Sequence, residues 1–287
     1  MDKEKWLKKV YANPFNWVGS KHRYLREYFN VVPWEKKGIR VLDPFVGGGD
    51  LISKLPTDWS ITANDKMTQV VELHIAIQEG KINVDNVLAS YIHRNMSKTN
   101  KDAFTKLRVE YNQDKDIRKL YLLMTNSFNN QLRFNQSGGF NMPFGKDRSH
   151  FSTNMQNKLG HYSDSLSARQ VNFTNQDVFD FRFEDYDLIV LDPPYSNTCA
   201  TYNEATGWSE KEDKLLFDKL EVSGVDFIYF NQTWSKGIVN KTLVDWLEKH
   251  NKVILKETST GCNHQRKVGF TEEVMVYKIT KEKEQND

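Results

Sequence analysis

The sequence predicts an α/β protein in which a doubly wound, mainly parallel sheet is interrupted by a mostly helical insertion near residues 80–165. Short apolar runs that end at an Asp occur on both sides of that insertion, which is typical of buried strands. Segments with helical spacing alternate with these runs, as in β-α-β units. Residues 91–170 carry 13 Lys and Arg against 6 Asp and Glu. This basic segment favours a polyanionic partner, although a solvated surface can have the same composition.

The first half of the chain contains the pattern that opens a doubly wound sheet. It predicts strands at Ile39–Asp43 and Trp59–Asn64, a turn at Gly47-Gly48-Gly49 followed by a helix starting at Leu51, and a helix at Thr68–Gln78. The helix at Thr68–Gln78 is expected to present Val71, His74, Ile75 and Gln78 on one face.

The insertion is expected to contain an amphipathic helix and a hairpin. Apolar residues recur at helical spacing in the order Ile117, Leu120, Tyr121, Met124 and Phe128. Gly138-Gly139, between aromatic-bearing stretches, is a hairpin-turn signal. The hairpin would be basic, aromatic and projecting, with a packed structural hairpin as the alternative.

The second half resumes the alternating pattern. Ser209 and Glu212 form a capping box, so a helix is expected to begin there, to bury Leu215, Leu216 and Leu220, and to stop at Gly224. The remaining expected elements are strands at Tyr186–Leu191 and Asp226–Phe230, a helix at Lys241–His250, and a closing strand pair, Val253–Glu257 with Val274–Ile279.

Composition excludes several classes of protein. The chain has 287 residues, of which 38% are hydrophobic and 27% charged, so it can bury a core and is not a disordered chain. The longest strongly apolar run, Leu188–Leu191, is far below the roughly 20 residues of a membrane span, and no apolar stretch follows residues 1–5. Cys199 and Cys262 lack metal or redox spacing. We expect a cytoplasmic protein with no membrane partner.

The turn Gly47-Gly48-Gly49 after the first strand indicates a ligand site. Ligands of open parallel sheets bind beyond the carboxyl ends of strands, where glycines allow close approach to the backbone. Asp65 follows at the end of the next strand, where an acid can hold ribose hydroxyls. The third glycine of a dinucleotide fingerprint would fall at Ile52, so a nicotinamide cofactor fits less well.

Asp192-Pro193-Pro194-Tyr195, at the end of another expected strand, is the candidate reaction centre. Two prolines fix φ and remove backbone donors, so a carboxylate, a rigid carbonyl and an aromatic ring stand side by side. Two acceptors can hold the hydrogens of an exocyclic amine and free its lone pair, while the ring stacks on the heterocycle. An ordinary strand-ending turn is the alternative. No His or Cys spacing indicates a metal site, so no metal is expected.

Taken together, these motifs resemble those of Dam-type (D12 class) DNA adenine-N6 methyltransferases, most like those of T-even bacteriophages. The resemblance covers nearly the whole chain and depends on five segments in the family's order: Phe15–Lys21, Asp43–Gly49, Asp65, Arg133–Gly145 and Asp192–Tyr195. It implies a Rossmann-like, S-adenosylmethionine-dependent methyltransferase fold. It also implies double-stranded DNA as the partner and S-adenosylhomocysteine as the product of the cofactor. It also implies a catalytic domain at 1–80 and 166–287 and a target-recognition insertion at 81–165 with a hairpin at 131–146. A monomer in a bacterial cell, of host or phage origin, is expected.

The resemblance also assigns roles to residues. Cofactor contacts are implied for Trp17, Lys21, Asp43, Phe45, Gly47, Gly49, Asp65, Asp177, Phe179 and Asp192. Among them, Trp17 and Lys21 would line the methionine end, Asp65 the ribose, and Asp177 with Phe179 the adenine. Asp192, Pro193, Pro194 and Tyr195 would be catalytic, with Tyr195 stacking on a flipped adenine.

DNA contacts are implied for Arg133, Phe134, Asn135, Pro143 and Lys146, and Phe134 would intercalate. Gln136-Ser137 replaces an apolar and basic pair of bacterial members, which predicts a relaxed or altered GATC target. Two other functions remain open: a methyltransferase acting on RNA or a protein amide, and a non-catalytic DNA-binding protein with a vestigial fold.

Overall fold

A computed structural model of the chain describes residues 12–17, 19–197, 208–258 and 269–280. Residues 1–5, the two cysteines and Val18 of the Phe15–Lys21 motif lie outside these ranges.

The described strands form one eight-stranded mixed sheet. The strands are β1 Arg40–Asp43, β2 Ser60–Asn64, β3 Gln170–Thr174, β4 Leu188–Leu191, β5 Asp226–Ser235, β6 Ile238–Val239, β7 Asn251–Thr258 and β8 Thr271–Lys278. Their order is β3-β2-β1-β4-β5-β8-β7, and β6 pairs with β5. The pairs from β3 to β5 are parallel, whereas β8 is antiparallel to both β5 and β7. The predicted α/β class and mainly parallel sheet are confirmed.

Eight α-helices lie in the described ranges, and four of them lie between residues 84 and 167. The helices are α1 Leu25–Val31, α2 Thr68–Gln78, α3 Val84–His93, α4 Lys101–Asp114, α5 Ile117–Asn126, α6 Thr153–Ser167, α7 Glu210–Ser223 and α8 Lys241–Leu247. The capping box at Ser209 and Glu212 begins α7, and Gly224 ends it in the left-handed region at φ 66°, both as predicted.

Two clusters of buried side chains cover the two faces of the sheet. One cluster joins Val41 and Ile61 of the sheet with Leu73 of α2, Leu123 of α5 and Leu159 of α6, so the insertion and the sheet share a core. On the opposite face, strands β4, β5 and β8 pack against α7 and α8. Helices on both faces are what apolar parallel strands require.

Several predicted elements differ from the observed ones. The helix expected from Leu51 is only a 3₁₀ turn, Ile52–Lys54, because Leu55 precedes Pro56 and is extended at ψ 163°. Leu215 points outward and is 46% exposed. Phe128 lies beyond the end of α5 and is 47% exposed, because the helix ends at Asn126 and Ser127 is extended at ψ 162°.

None of the described helices has the length and apolar character needed to span a bilayer.

Candidate active site

Three acidic residues lie at the carboxyl edge of adjacent parallel strands. Asp43 ends β1, Asp65 follows β2 and Asp192 follows β4. Strand β1 pairs with β2 on one side and with β4 on the other, so the crevice between β1 and β4 is a topological switch point. Burial raises the pKa of Asp43 well above its ordinary value, and the nearby carboxylates Asp192 and Asp65 raise it further, against the opposing amide of Phe45.

Asp192 forms a partly buried ion pair with Lys21. Lys21 Nζ lies 2.6 Å from Asp192 Oδ2, and the side chains are 5% and 24% exposed. The same ammonium donates to the Gly19 carbonyl at 2.6 Å, so two of its three hydrogens have partners among the described residues. Burial raises the pKa of Asp192, while the Lys21 charge opposes that rise. The pair joins two motifs that are far apart in the sequence.

The candidate tetrapeptide Asp192–Tyr195 lies around this ion pair. The Tyr195 hydroxyl donates to Asp192 Oδ1 at 3.2 Å, and Lys21 Nζ lies 5.4 Å from the centre of the Tyr195 ring. Pro193 is buried and Pro194 half-buried. Lys21 therefore contacts both the carboxylate and the ring of the tetrapeptide, whereas the resemblance assigned Lys21 to the cofactor alone.

The glycine turn is shaped by close contacts. A Cβ on Gly47 would lie 2.7 Å from Trp17 Nε1, and Gly47 has φ 47°, so a side chain is excluded there both sterically and conformationally. Asp65 Oδ2 accepts from the Gly47 amide at 3.0 Å and Oδ1 from the Met67 amide at 2.9 Å. Each carboxylate oxygen has a second lone pair, so Asp65 can still accept from a ligand hydroxyl. Burial raises the pKa of Asp65 to about 6.

His74 stabilises this turn through a hydrogen bond to Gly47, a role that the sequence did not reveal. His74 Nε2 lies 2.8 Å from the Gly47 carbonyl oxygen, and His74 Nδ1 lies 2.8 Å from the Tyr162 hydroxyl. Because a carbonyl only accepts, Nε2 carries the hydrogen and Nδ1 accepts from Tyr162. The ring stacks on Phe173 with centroids 5.0 Å apart, and burial lowers the pKa of His74 to about 4. A neutral imidazole thus connects α6 of the insertion to the turn.

An aromatic group lies beside the same edge of the sheet. Trp208 packs parallel to Phe179 at 6.2 Å and edge-on to Phe45 at 5.3 Å. Asp177 accepts from the Phe179 amide at 3.1 Å and pairs with Lys66 at 3.1 Å. Sequence reasoning identified Phe45, Phe179 and Asp177 but missed Trp208, which precedes the capping box of α7. Planar faces of this kind suit a purine ring.

A buried carboxylate on β8 holds the segment that follows Lys21. Glu273 accepts from Arg23 Nη2 at 3.1 Å, from Gln232 Nε2 at 3.3 Å and from the Tyr24 hydroxyl. Its charge acts on the pKa of Asp192, which burial already raises. Nothing in the spacing of the sequence identified Glu273.

The hairpin carries the candidate DNA-binding residues, and most of them are engaged within it. Arg133 donates to Asn141 Oδ1 at 2.9 Å and to the Asn141 carbonyl at 2.8 Å. Asn135 Oδ1 accepts from the Gly139 amide at 2.7 Å. Phe134 is half-buried and packs edge-on against Phe140 at 6.1 Å.

The outer residues of the hairpin are more open. Pro143 and Lys146 are exposed, and Phe128 at the base of the hairpin donates its amide to the Pro143 carbonyl at 2.8 Å. Regular pairing is limited to isolated bridges, Phe134 with Phe140 and Ser127 with Phe144.

A polar cavity of about 300 Å³ lies between the loop before Lys21 and the insertion. Arg148 and Lys158 contribute positive charge to its lining, and Asp50 contributes one negative charge. Asn16, also in the lining, donates its side-chain amide to the Asn129 carbonyl, which ties the loop to the base of the hairpin. Sequence reasoning identified the basic segment but not this cavity.

No cluster of three or more potential metal ligands occurs within the part of the chain that the structure describes.

Comparisons with known proteins agree with the motifs. A family model described as D12 class N6 adenine-specific DNA methyltransferase matches residues 17–260. The Type II methyltransferase M.FokI of Planomicrobium okeanokoites is 32% identical over 282 residues, which cover 93% of this chain and 43% of that protein. Modification methylase StsI of Streptococcus sanguinis is 33% identical over 284 residues, with coverage of 94% and 43%.

DNA adenine methylase of Salmonella typhi is 27% identical over 205 residues, which cover 65% of this chain and 66% of that protein. The chain thus spans less than half the length of M.FokI and StsI. The matched range 17–260 contains the glycine turn, the hairpin and Asp192–Tyr195, so the predicted family is confirmed. The chain belongs to the D12 class N6 adenine-specific DNA methyltransferase family.

Proposed function

We propose that the chain is a site-specific DNA adenine-N6 methyltransferase that transfers a methyl group from S-adenosylmethionine to a flipped adenine in a short duplex motif, GATC or a relaxed variant. The observation that carries this proposal is the Lys21–Asp192–Tyr195 arrangement, placed at the switch point of the sheet beside the glycine turn. We propose further that it acts as a monomer in a bacterial cell.

The residues around the glycine turn fit the cofactor. Asp65 has free acceptor capacity for ribose hydroxyls, and the faces of Phe45, Phe179 and Trp208 suit the adenine. Lys21 keeps one hydrogen for the methionine carboxylate. When bound there, S-adenosylmethionine supplies the activated methyl group, and S-adenosylhomocysteine is the product.

Asp192 and the Pro193 carbonyl would accept the two hydrogens of the target amine. These hydrogen bonds leave the nitrogen lone pair available and orient the amine, so the residues act through position and electrostatics. Because burial raises the pKa of Asp192, this carboxylate is a stronger proton acceptor than an exposed Asp. Tyr195 would stack on the base. The base has to leave the duplex, because a stacked adenine cannot reach a buried carboxylate.

The insertion at 81–165 would bind the DNA, with the catalytic domain at 1–80 and 166–287. Lys146 on the hairpin and Arg148 and Lys158 at the neighbouring cavity form a cationic face for phosphates. Phe134 and Asn135 are engaged inside the hairpin, so we propose that they exchange these contacts for bases when the hairpin enters DNA.

Methyl transfer from labelled S-adenosylmethionine to unmethylated genomic DNA tests the proposal. Nucleoside analysis and mapping of modified sites are expected to give N6-methyladenine at one short motif. The matched control is Asp192→Asn, which keeps the side-chain volume and removes the charge. Transfer only to RNA or protein would contradict the DNA acceptor, and cofactor and DNA binding without transfer would contradict catalysis.

A further inference from the structure

Asp213 on α7 is a buried carboxylate outside the residues assigned so far. It is 0% exposed and has no cationic partner among the described residues. Instead it accepts from Ser196 Oγ at 2.5 Å, Trp208 Nε1 at 2.9 Å and Asn240 Nδ2 at 3.0 Å. A buried carboxylate is costly unless such donors surround it, so all four side chains are held in one arrangement.

The donors belong to both halves of the proposed site. Ser196 directly follows Tyr195, the last residue of the catalytic tetrapeptide. Trp208 is the ring that packs on Phe179 and Phe45 beside the cofactor turn. One carboxylate therefore fixes the end of the tetrapeptide and the orientation of the indole together.

Asn240 is the third donor to Asp213, and it connects the network to α8. Its Oδ1 accepts from the Leu243 amide as the N-cap of α8, and its Nδ2 donates to Ser196 Oγ as well as to Asp213. Ser196 Oγ accepts this bond and donates its own hydrogen to the carboxylate. The hydrogen bonds therefore run from Asn240 to Ser196 and from Ser196 to Asp213, and the network is attached to α7 and α8.

We infer that Asp213 is a positioning residue that couples the aromatic wall of the cofactor site to the catalytic tetrapeptide. The inference rests on the proposed function. Trp208 Nε1–H bonds to one carboxylate oxygen and Ser196 to the other, so Asp213 can only place both groups if both oxygens accept. Asn at this position has one acceptor oxygen, and its amide would face a donor.

Loss of the Ser196 contact and loss of the Trp208 contact are expected to have different effects. Asp213→Asn is expected to weaken S-adenosylmethionine binding and to lower the single-turnover rate, each roughly 10- to 100-fold, because hydrogen bonds to a buried charge are lost. Ser196→Ala is expected to lower the rate and leave cofactor affinity within about twofold. Trp208→Phe retains a ring but loses Nε1–H, and is expected to weaken cofactor binding more than it lowers the rate at saturating cofactor.

The test uses the full chain, with cofactor affinity from calorimetry and rates from single-turnover DNA methylation. Asp218→Asn is the matched control, because Asp218 lies exposed on the same helix, and both its affinity and its rate are expected to equal those of the wild type. Far-UV circular dichroism and thermal unfolding verify that each variant is folded. If Asp213→Asn does not fold, Ser196→Ala and Trp208→Phe test the inference in its place.

A folded Asp213→Asn with unchanged affinity and rate would overturn the inference. So would equal losses of affinity in Ser196→Ala and Trp208→Phe. If the wild type binds S-adenosylmethionine but methylates no DNA, the proposed function fails separately. Asp213→Asn is then judged on affinity: a tenfold loss relative to Asp218→Asn supports the coupling, and an unchanged value refutes it.

Discussion

Replacing Tyr162 by Phe removes one hydroxyl that connects the insertion to the cofactor turn. In the native structure this hydroxyl donates to His74 Nδ1 at 2.8 Å, and His74 Nε2–H donates to the Gly47 carbonyl at 2.8 Å. Both Tyr162 and His74 are buried, so water cannot replace the lost donor without opening the core. The substitution leaves Nδ1 as a buried acceptor with no partner.

The expected cost follows from that unsatisfied acceptor. Leaving a buried polar atom without a partner costs about 1–3 kcal/mol, so Tyr162→Phe should lower the free energy of unfolding by about that amount. His74 then loses one of the contacts that orient its ring, and S-adenosylmethionine affinity should fall as the Gly47 turn loosens. Denaturant unfolding measures the first effect and titration calorimetry the second.

Tyr121→Phe is the matched control. Tyr121 is also fully buried, but its hydroxyl has no hydrogen-bond partner among the described residues. Removing that hydroxyl should leave stability unchanged or raise it, because an uncompensated polar atom is deleted. Equal losses in the two variants would refute the reasoning, since the effect would then come from removing a hydroxyl and not from the bond to His74.

Three other predictions concern the proposed chemistry. Asp192→Asn should abolish methyl transfer while non-specific DNA binding, measured by fluorescence anisotropy, is retained; residual turnover near the wild-type rate would contradict its catalytic role. Because burial raises the pKa of Asp65 to about 6, the carboxylate is charged above that pH, so calorimetry should show cofactor affinity falling as the pH drops through about 6. Asp65→Asn should bind weakly with no such pH dependence, and an unchanged pH profile would argue against the ribose contact. Lys146→Ala should weaken binding evenly across DNA sequences and reduce the salt dependence by about one unit, whereas a loss at one cognate site only would make Lys146 a base reader.

Local signals predicted most of the sheet and several element ends. The helix Thr68–Gln78 was predicted at its observed bounds, although Ile75 and Gln78 of the expected face are only half-buried, and the capping box and Gly224 defined α7. Strand β3 was missed because it is half-exposed and its sequence, Gln-Val-Asn-Phe-Thr, has a single buried side chain. Leu215 was misplaced because Leu216 and Leu220, four residues apart, already define the buried stripe.

The site residues also divide into those that a local sequence pattern predicts and those that only the fold reveals. Asp43, Asp65 and Asp192 were identified because each lies at the end of an expected strand, a pattern visible in a few neighbouring letters. The bond between Lys21 and Asp192 spans 171 positions and that between His74 and Tyr162 spans 88, so no local pattern marks either. Trp208 packs on Phe45 and Glu273 accepts from Gln232, and only the folded chain brings these pairs together.

The shared core has an evolutionary consequence. Leu123 and Leu159 of the insertion pack in the same cluster as Val41 and Ile61 of the sheet, with no separate core between them. Exchanging the whole insertion with that of a relative would replace part of this shared core. The remaining core side chains of the sheet would then be left exposed or too tightly packed. If the hairpin reads the DNA target as proposed, we expect new target preferences to arise by substitution at exposed hairpin positions such as Gln136 and Ser137, and not by recombination of segments.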